Sequence, residues 1–368
     1  MVLMTLVAPG CSSDARAPRH VGAAATTATT TTTATTDAVL ACASGSGSGC
    51  TLREVAARRK VLIGAAAAAG PLDHDPAYQR LLARQFDSVT PENQAKWPVV
   101  EPTAGMTDWA TLDALVRFAV DHGMAVRGHA LIWGQASSAG TPAWVTDITD
   151  PTSLRKAVEA HIHDEVSRYA GRIDRWDVVN EPLQTDGPAL DANHFLDVLG
   201  RGYIADAFRA AHAADPSASL WLNENNVESV PAKADALVAL VDGLRSDGVP
   251  IDGVGLQMHL RSGHAPAPGV VSRLVGRLRA LGVRVAITEL DVPVSTDGSD
   301  AAQVAAYRQV VRECLAAGCD EITVWGVSDA HTWLDADLGR SHTDPLLFDE
   351  RGSPKQTFNE VRAALAAG

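Results

Sequence analysis

From Val61 onward, short apolar runs alternate with longer stretches in which apolar residues recur every three or four positions, and the unit repeats eight times. The runs at 61–66, 86–90, 125–132, 174–180, 219–223, 252–257, 283–288 and 321–326 have the length of buried strands. The stretches at 76–85, 109–122, 152–169, 195–213, 231–246, 269–281, 300–317 and 354–366 read as amphipathic helices. Polar residues close nearly every apolar run. The sharpest case is WDVVNEPL at 176–183, where Val178 and Val179 give way to Asn180, Glu181 and Pro182. A strand buried on both faces delivers its last side chains to a barrel rim, so the pattern predicts an α/β fold, a single (β/α)8 TIM barrel. An open doubly wound sheet is the competing architecture, but no G-x-G-x-x-G follows an early strand.

The first fifty residues break this rhythm. TTATTTTTATT at 26–36 and ASGSGSGC at 43–50 cannot bury enough apolar surface to offset chain entropy. Residues 1–51 are therefore expected to be an export segment and flexible linker ahead of a catalytic domain at 52–368. LVAPGC at 6–11 resembles a bacterial lipoprotein signal whose cysteine, Cys11, becomes acylated; Pro9 and the missing basic flank fit a degraded export signal instead. Either reading places the protein outside the cytoplasm, secreted or tethered to a membrane through Cys11. If Cys11 is lipidated, close spacing pairs the other four cysteines as Cys42 with Cys50 and Cys314 with Cys319, in an oxidising compartment.

Composition narrows the function. Lys plus Arg total 31 against 44 acidic residues, a net charge of −13, and no basic stripe appears, which argues against nucleic acid as a partner. No run in the body approaches a membrane span. The histidines of the polar strand ends, His129, His259 and His331, lack H-E-x-x-H or Cys-His spacing, so no metal is expected, and no G-x-S-x-G precedes a helix.

What remains is a pair of carboxylates. Glu181 ends the fourth run and Glu289 the seventh, and glycosidases cleave between two such groups. Six segments in order, TPENQAKW (90–97), RGHALIW (127–133), WDVVNEP (176–182), GVGLQMH (253–259), ITELDV (287–292) and VWGVSDAHTW (324–333), resemble the family 10 glycoside hydrolases, chiefly endo-β-1,4-xylanases. The resemblance implies a retaining, cofactor-free enzyme with Glu181 as acid/base and Glu289 as nucleophile, the latter supported by His259 and Asp291. It also implies that Asn180 holds the sugar 2-hydroxyl. Glu92, Asn93 and Lys96 would grip the sugar one unit beyond the cleavage point, and His129, Trp133, Gln257, Trp325 and Trp333 the sugar being cleaved. The partner implied is a xylan-like polysaccharide or oligosaccharide, and a monomer is expected. Trp97, Trp109, Trp144 and Trp221 are read as core.

Several positions depart from the family pattern. Gly134-Gln135-Ala136 replaces a His-Ser-Gln-like sequence, and Asn225 stands where an aromatic ring usually stacks on the leaving-group side. Gln94-Ala95 replaces Glu-Met, and Leu334 replaces a frequent Arg. The changes at 134–136 and 225 keep open a related β-glycan or small β-glycoside as substrate; in a different class stands a carbohydrate-binding surface protein without catalysis, disfavoured because a binder has no need to keep Glu181, Glu289, His259 and Asp291 together.

Overall fold

The computed structural model describes residues 49–135, 140–261, 263–294 and 300–367. Eight parallel strands close into one barrel in sequence order: β1 (Leu62–Ala67), β2 (Ser88–Pro91), β3 (Ala125–Trp133), β4 (Arg175–Asn180), β5 (Ser219–Glu224), β6 (Gly253–Leu256), β7 (Arg284–Leu290) and β8 (Glu321–Val324). The seam is made by β1 against β8, with Leu62 opposite Glu321 and Ala65 opposite Val324. Each expected strand is present within a few residues of its expected limits. Register shifts interrupt the ladders between His129 and Ile132, between Asp177 and Val179, and between Ile287 and Leu290, all close to the C-terminal rim. Local irregularity of this kind re-aims side chains where a site is built.

The helices pack outside. Seven of the eight expected stretches are single helices; the one expected at 195–213 is two, His194–Leu199 and Tyr203–Ala214. Gly200, at φ 72, ends the first of them in a conformation that a side chain disfavours. An additional helix, Leu52–Arg59, begins at the linker boundary and is closed by a capping box between Thr51 and Glu54. Trp97 and Trp221 are fully buried, and Trp109 and Trp144 pack partly buried against the core, as expected. Cys314 and Cys319 form a disulfide with Cα atoms 5.3 Å apart. Cys50 is buried and disulfide-bonded; Cys42, its expected partner, and Cys11 lie outside the described residues.

The barrel interior is not wholly apolar. Arg127 of β3, fully buried, bonds Asp177 of β4 at 2.8 Å and Glu321 of β8 at 2.6 Å. Glu321 also takes Arg175 at 3.0 Å and the Ser88 hydroxyl at 2.6 Å. Burial alone would raise the Glu321 carboxyl, but the two guanidiniums outweigh it and hold it far below the carboxylate range. Among the described residues no helix is long and apolar enough to cross a membrane.

Candidate active site

A cleft of about 560 Å³ opens at the C-terminal rim, and Glu181 and Glu289 both line it. Glu181 follows directly on β4 at φ 53, in the left-handed region, where a side chain is strained and must be held by its surroundings. The holding contacts are visible. Its N–H donates to the Asn223 carbonyl at 2.9 Å. Its carboxylate accepts from Trp133 Nε1 at 2.9 Å and from Gln257 Nε2 at 2.8 Å.

Glu289 stands on β7 with its carboxylate nearly enclosed. Asn223 Nδ2 donates to it at 2.6 Å and His259 Nε2 lies 3.0 Å away; the opposite ring nitrogen of His259 is 2.9 Å from Asp291. Burial alone would lower the His259 imidazolium, but Asp291 and Glu289 outweigh it and raise it to about 10, so the ring is a cation at neutral pH. For Glu289 burial acts upward, yet His129, His259 and Asn223 prevail and hold the carboxyl below its usual value. A charged, oriented carboxylate results.

The remaining expected residues converge on the same cleft. Asn180 Oδ1 accepts from Asn223 at 2.9 Å and from Gln257 at 3.3 Å, so amides connect the surroundings of the two glutamates. His129 Nδ1 meets Asp177 Oδ2 at 3.0 Å; a carboxylate only accepts, so Nδ1 carries the proton. In the loop after β2, Lys96 donates to Asn93 at 2.9 Å and Asn93 to Glu92 at 3.3 Å, while the Lys96 ammonium lies 5.0 Å from the Trp133 ring centre. Burial lowers Lys96, with Glu289, Glu92 and Glu181 pulling the other way. Trp325 meets His129 and His259 edge to face, and Trp333 donates from Nε1 to Asp291 at 2.8 Å. Of the residues expected to act in catalysis or to hold sugar, all but Asp291 line the cleft; Asp291 lies behind His259.

The departures from the family pattern have local explanations. A Cβ on Gly134 would come within 2.5 Å of Asn193, whose side chain occupies the space over it. Gln135 lines the cleft, and Ala136 lies outside the described residues. Gln94 is buried and bonds the Ala67 carbonyl at 2.9 Å, beside buried Ala95, and Leu334 is core. Asn225 lines the cleft and accepts from Lys233 at 2.6 Å, so a small polar group faces the cavity there.

Four supporting residues were not anticipated. Asn223 bridges the two halves of the site, Thr288 orients it through a 2.7 Å bond, Asp177 fixes His129, and Glu224 accepts from Leu183 N–H just beyond Glu181. Asn223 reads simply as the last residue of the expected strand 219–223; its polarity in the run LWLN is the available signal.

Residues 51–364 match the model of Glycosyl hydrolase family 10. Endo-1,4-beta-xylanase 3 of Hypocrea jecorina is 39% identical over 287 residues, covering 76% of each chain. A beta-1,4-xylanase of Dictyoglomus thermophilum is 36% identical over 308 residues, 77% of this chain and 83% of that one. The crystal structure of xylanase 10B from Thermotoga petrophila, in complex with xylobiose, superposes with a TM-score of 0.81 at 30% identity, covering 87% of this chain and 98% of that one. With a family match over most of its length and a closed eight-stranded barrel beneath it, the chain belongs to glycosyl hydrolase family 10.

Proposed function

We propose that this chain is a retaining endo-1,4-β-xylanase with Glu181 as acid/base and Glu289 as nucleophile. The observation that carries the reading is the asymmetry of the two carboxylates in one cleft. Glu289 is enclosed by a histidine cation and an amide that favour its ionised form, whereas Glu181 is aimed by two N–H donors at the cavity. In the first step the Glu289 carboxylate bonds the anomeric carbon as the glycosidic C–O bond breaks, and Glu181 gives its proton to the departing oxygen. In the second, Glu181 as carboxylate takes a proton from water, the water oxygen bonds the anomeric carbon, and Glu289 leaves as carboxylate. The Asn180 amide is suited to hold the 2-hydroxyl as positive charge develops on the ring. Indole faces of Trp325 and Trp333 suit the apolar faces of pyranose rings, and Glu92, Asn93, Lys96, His129, Trp133 and Gln257 offer partners to hydroxyls.

The names of the relatives support xylan as substrate. The half-buried polar wall at Asn225 favours weaker binding of the leaving sugar, by up to about tenfold for a lost stacking ring. Export fits the Cys314–Cys319 disulfide, and tethering through Cys11 remains part of the proposal, as do the linker over residues 1–51 and a monomeric body. Proton NMR of early xylan products tests the reaction. β-Anomers should appear first; α-anomers first would overturn retention, and turnover of another β-glycan with none of xylan would overturn the substrate.

A further inference from the structure

Lys233 sits on the helix Pro231–Ser246 with no solvent exposure, and its cation is spent on two partners in the rim. It lies 2.8 Å from Glu224 Oε1 and donates to Asn225 Oδ1 at 2.6 Å. Glu224, the last residue of β5, is equally buried and accepts two backbone N–H groups: Asn225 through Oε1 and Leu183 through Oε2, each at 3.0 Å. Leu183 is two residues beyond Glu181. A fully buried ion pair therefore grips the turn after β4, whose first residue is strained, and the turn after β5 together.

We propose that Glu224 and Lys233 are positioning residues for the acid/base: Glu224 pins the Glu181-Pro182-Leu183 turn through Leu183 N–H, and Lys233 locks Glu224 in place. Neither reaches the cleft, since neither lines it. Burial raises the Glu224 carboxyl to about 7 against the pull of Lys233, and Glu181 adds to the rise, so the pair lies within electrostatic reach of the acid/base as well. The strain at φ 53 gives the clamp its purpose. Without the Leu183 anchor the turn can relax, and the Glu181 carboxyl moves off the line to the departing oxygen while Glu289 keeps its own supports.

The inference rests on the acid/base role proposed for Glu181, and leaving-group dependence tests it. A 2,4-dinitrophenyl β-xylobioside departs without protonation, whereas a phenyl β-xylobioside needs the acid. In Lys233→Met, kcat/KM on the phenyl substrate should fall about 10- to 100-fold, part of what a general acid supplies, and on the dinitrophenyl substrate by no more than about threefold. Glu224→Gln keeps the side-chain volume and one acceptor, and should show the same split at smaller size; it carries the test if Lys233→Met fails to fold. Equal losses on both substrates would overturn the proposal, because a generally loosened barrel has no reason to favour one leaving group. Glu181→Ala is measured alongside: if that variant shows no split and no recovery with azide, the acid/base assignment fails instead.

Discussion

Glu165 lies on the helix Pro151–Arg168 with no solvent exposure, and neither carboxyl oxygen has a hydrogen-bond partner among the described residues. His161 Nε2 lies 3.5 Å away, but it already faces the Leu131 carbonyl at 3.0 Å, and its ring stacks on Trp97 with centres 4.1 Å apart. Burial raises Glu165 well above its usual value and lowers His161 to about 3, so both are neutral in the fold. Replacing Glu165 with Met keeps the volume and removes an unpaired polar group, which should stabilise the protein by about 1–3 kcal/mol near pH 5. The pH dependence is the sharper test. Above about pH 4.5 the unfolded chain releases the Glu165 proton while the fold retains it, so the parent loses up to about 1.4 kcal/mol per pH unit as pH rises toward the folded value. Glu165→Met removes that slope, and its advantage over the parent should widen from pH 5 to pH 8. His161 acts oppositely: the unfolded ring gains a proton below about pH 6.5 and the folded ring does not until about 3, so stability also falls on the acid side. Urea unfolding at pH 5, 6, 7 and 8 measures the difference directly. A constant difference between variant and parent, or a variant less stable at pH 8, would refute the reasoning.

Other expectations concern the site. His259→Ala removes the cation beside Glu289, so the carboxyl rises, the acid limb of the kcat/KM profile moves to higher pH, and kcat falls by about 100-fold. Asn223→Ala removes the 2.6 Å donor to Glu289 and the shorter of the two bonds to Asn180; steady-state kinetics should show a kcat loss of about tenfold or more with little change in KM. Gly134→Ala forces Asn193 from its place, where it caps the helix His194–Leu199, and should lower stability by about 1–3 kcal/mol in urea unfolding.

The barrel was legible because strands buried on both faces leave unbroken apolar runs, and helices leave a spaced stripe. The break at Gly200 was not, since the hydrophobic spacing continues across it and only backbone geometry reveals the interruption. The helix Leu52–Arg59 was missed although Thr51 and Glu54 carry a readable capping signal, because the low-complexity linker ran to its first residue. Within the site, residues facing substrate were found through motifs, as was Asp291 behind His259, while Asn223, Thr288, Asp177 and Glu224 behind them were not. Lys233 and Glu165 are charged residues on helices, where exposure is the ordinary expectation, and their burial depends on what a distant strand places opposite them. Asp177 lies within a recognised segment, yet its neighbour Glu181 drew the chemical reading.

The buried guanidinium–carboxylate cluster inside the barrel bears on how the chain can be divided. Arg127 and Arg175 come from the first four strands, whereas Glu321 comes from the eighth, at the seam with β1. A fragment ending after β4 would keep two guanidiniums with only Asp177 and the exposed Asp174 to face them, leaving buried Arg127 short of one partner, and the complementary fragment would bury a lone carboxylate. Uncompensated buried charge costs about 3–5 kcal/mol, a large share of a domain's total stability. Half-barrels cut from this chain are thus unsuited to independent existence, and closure of the ring is itself what neutralises its interior.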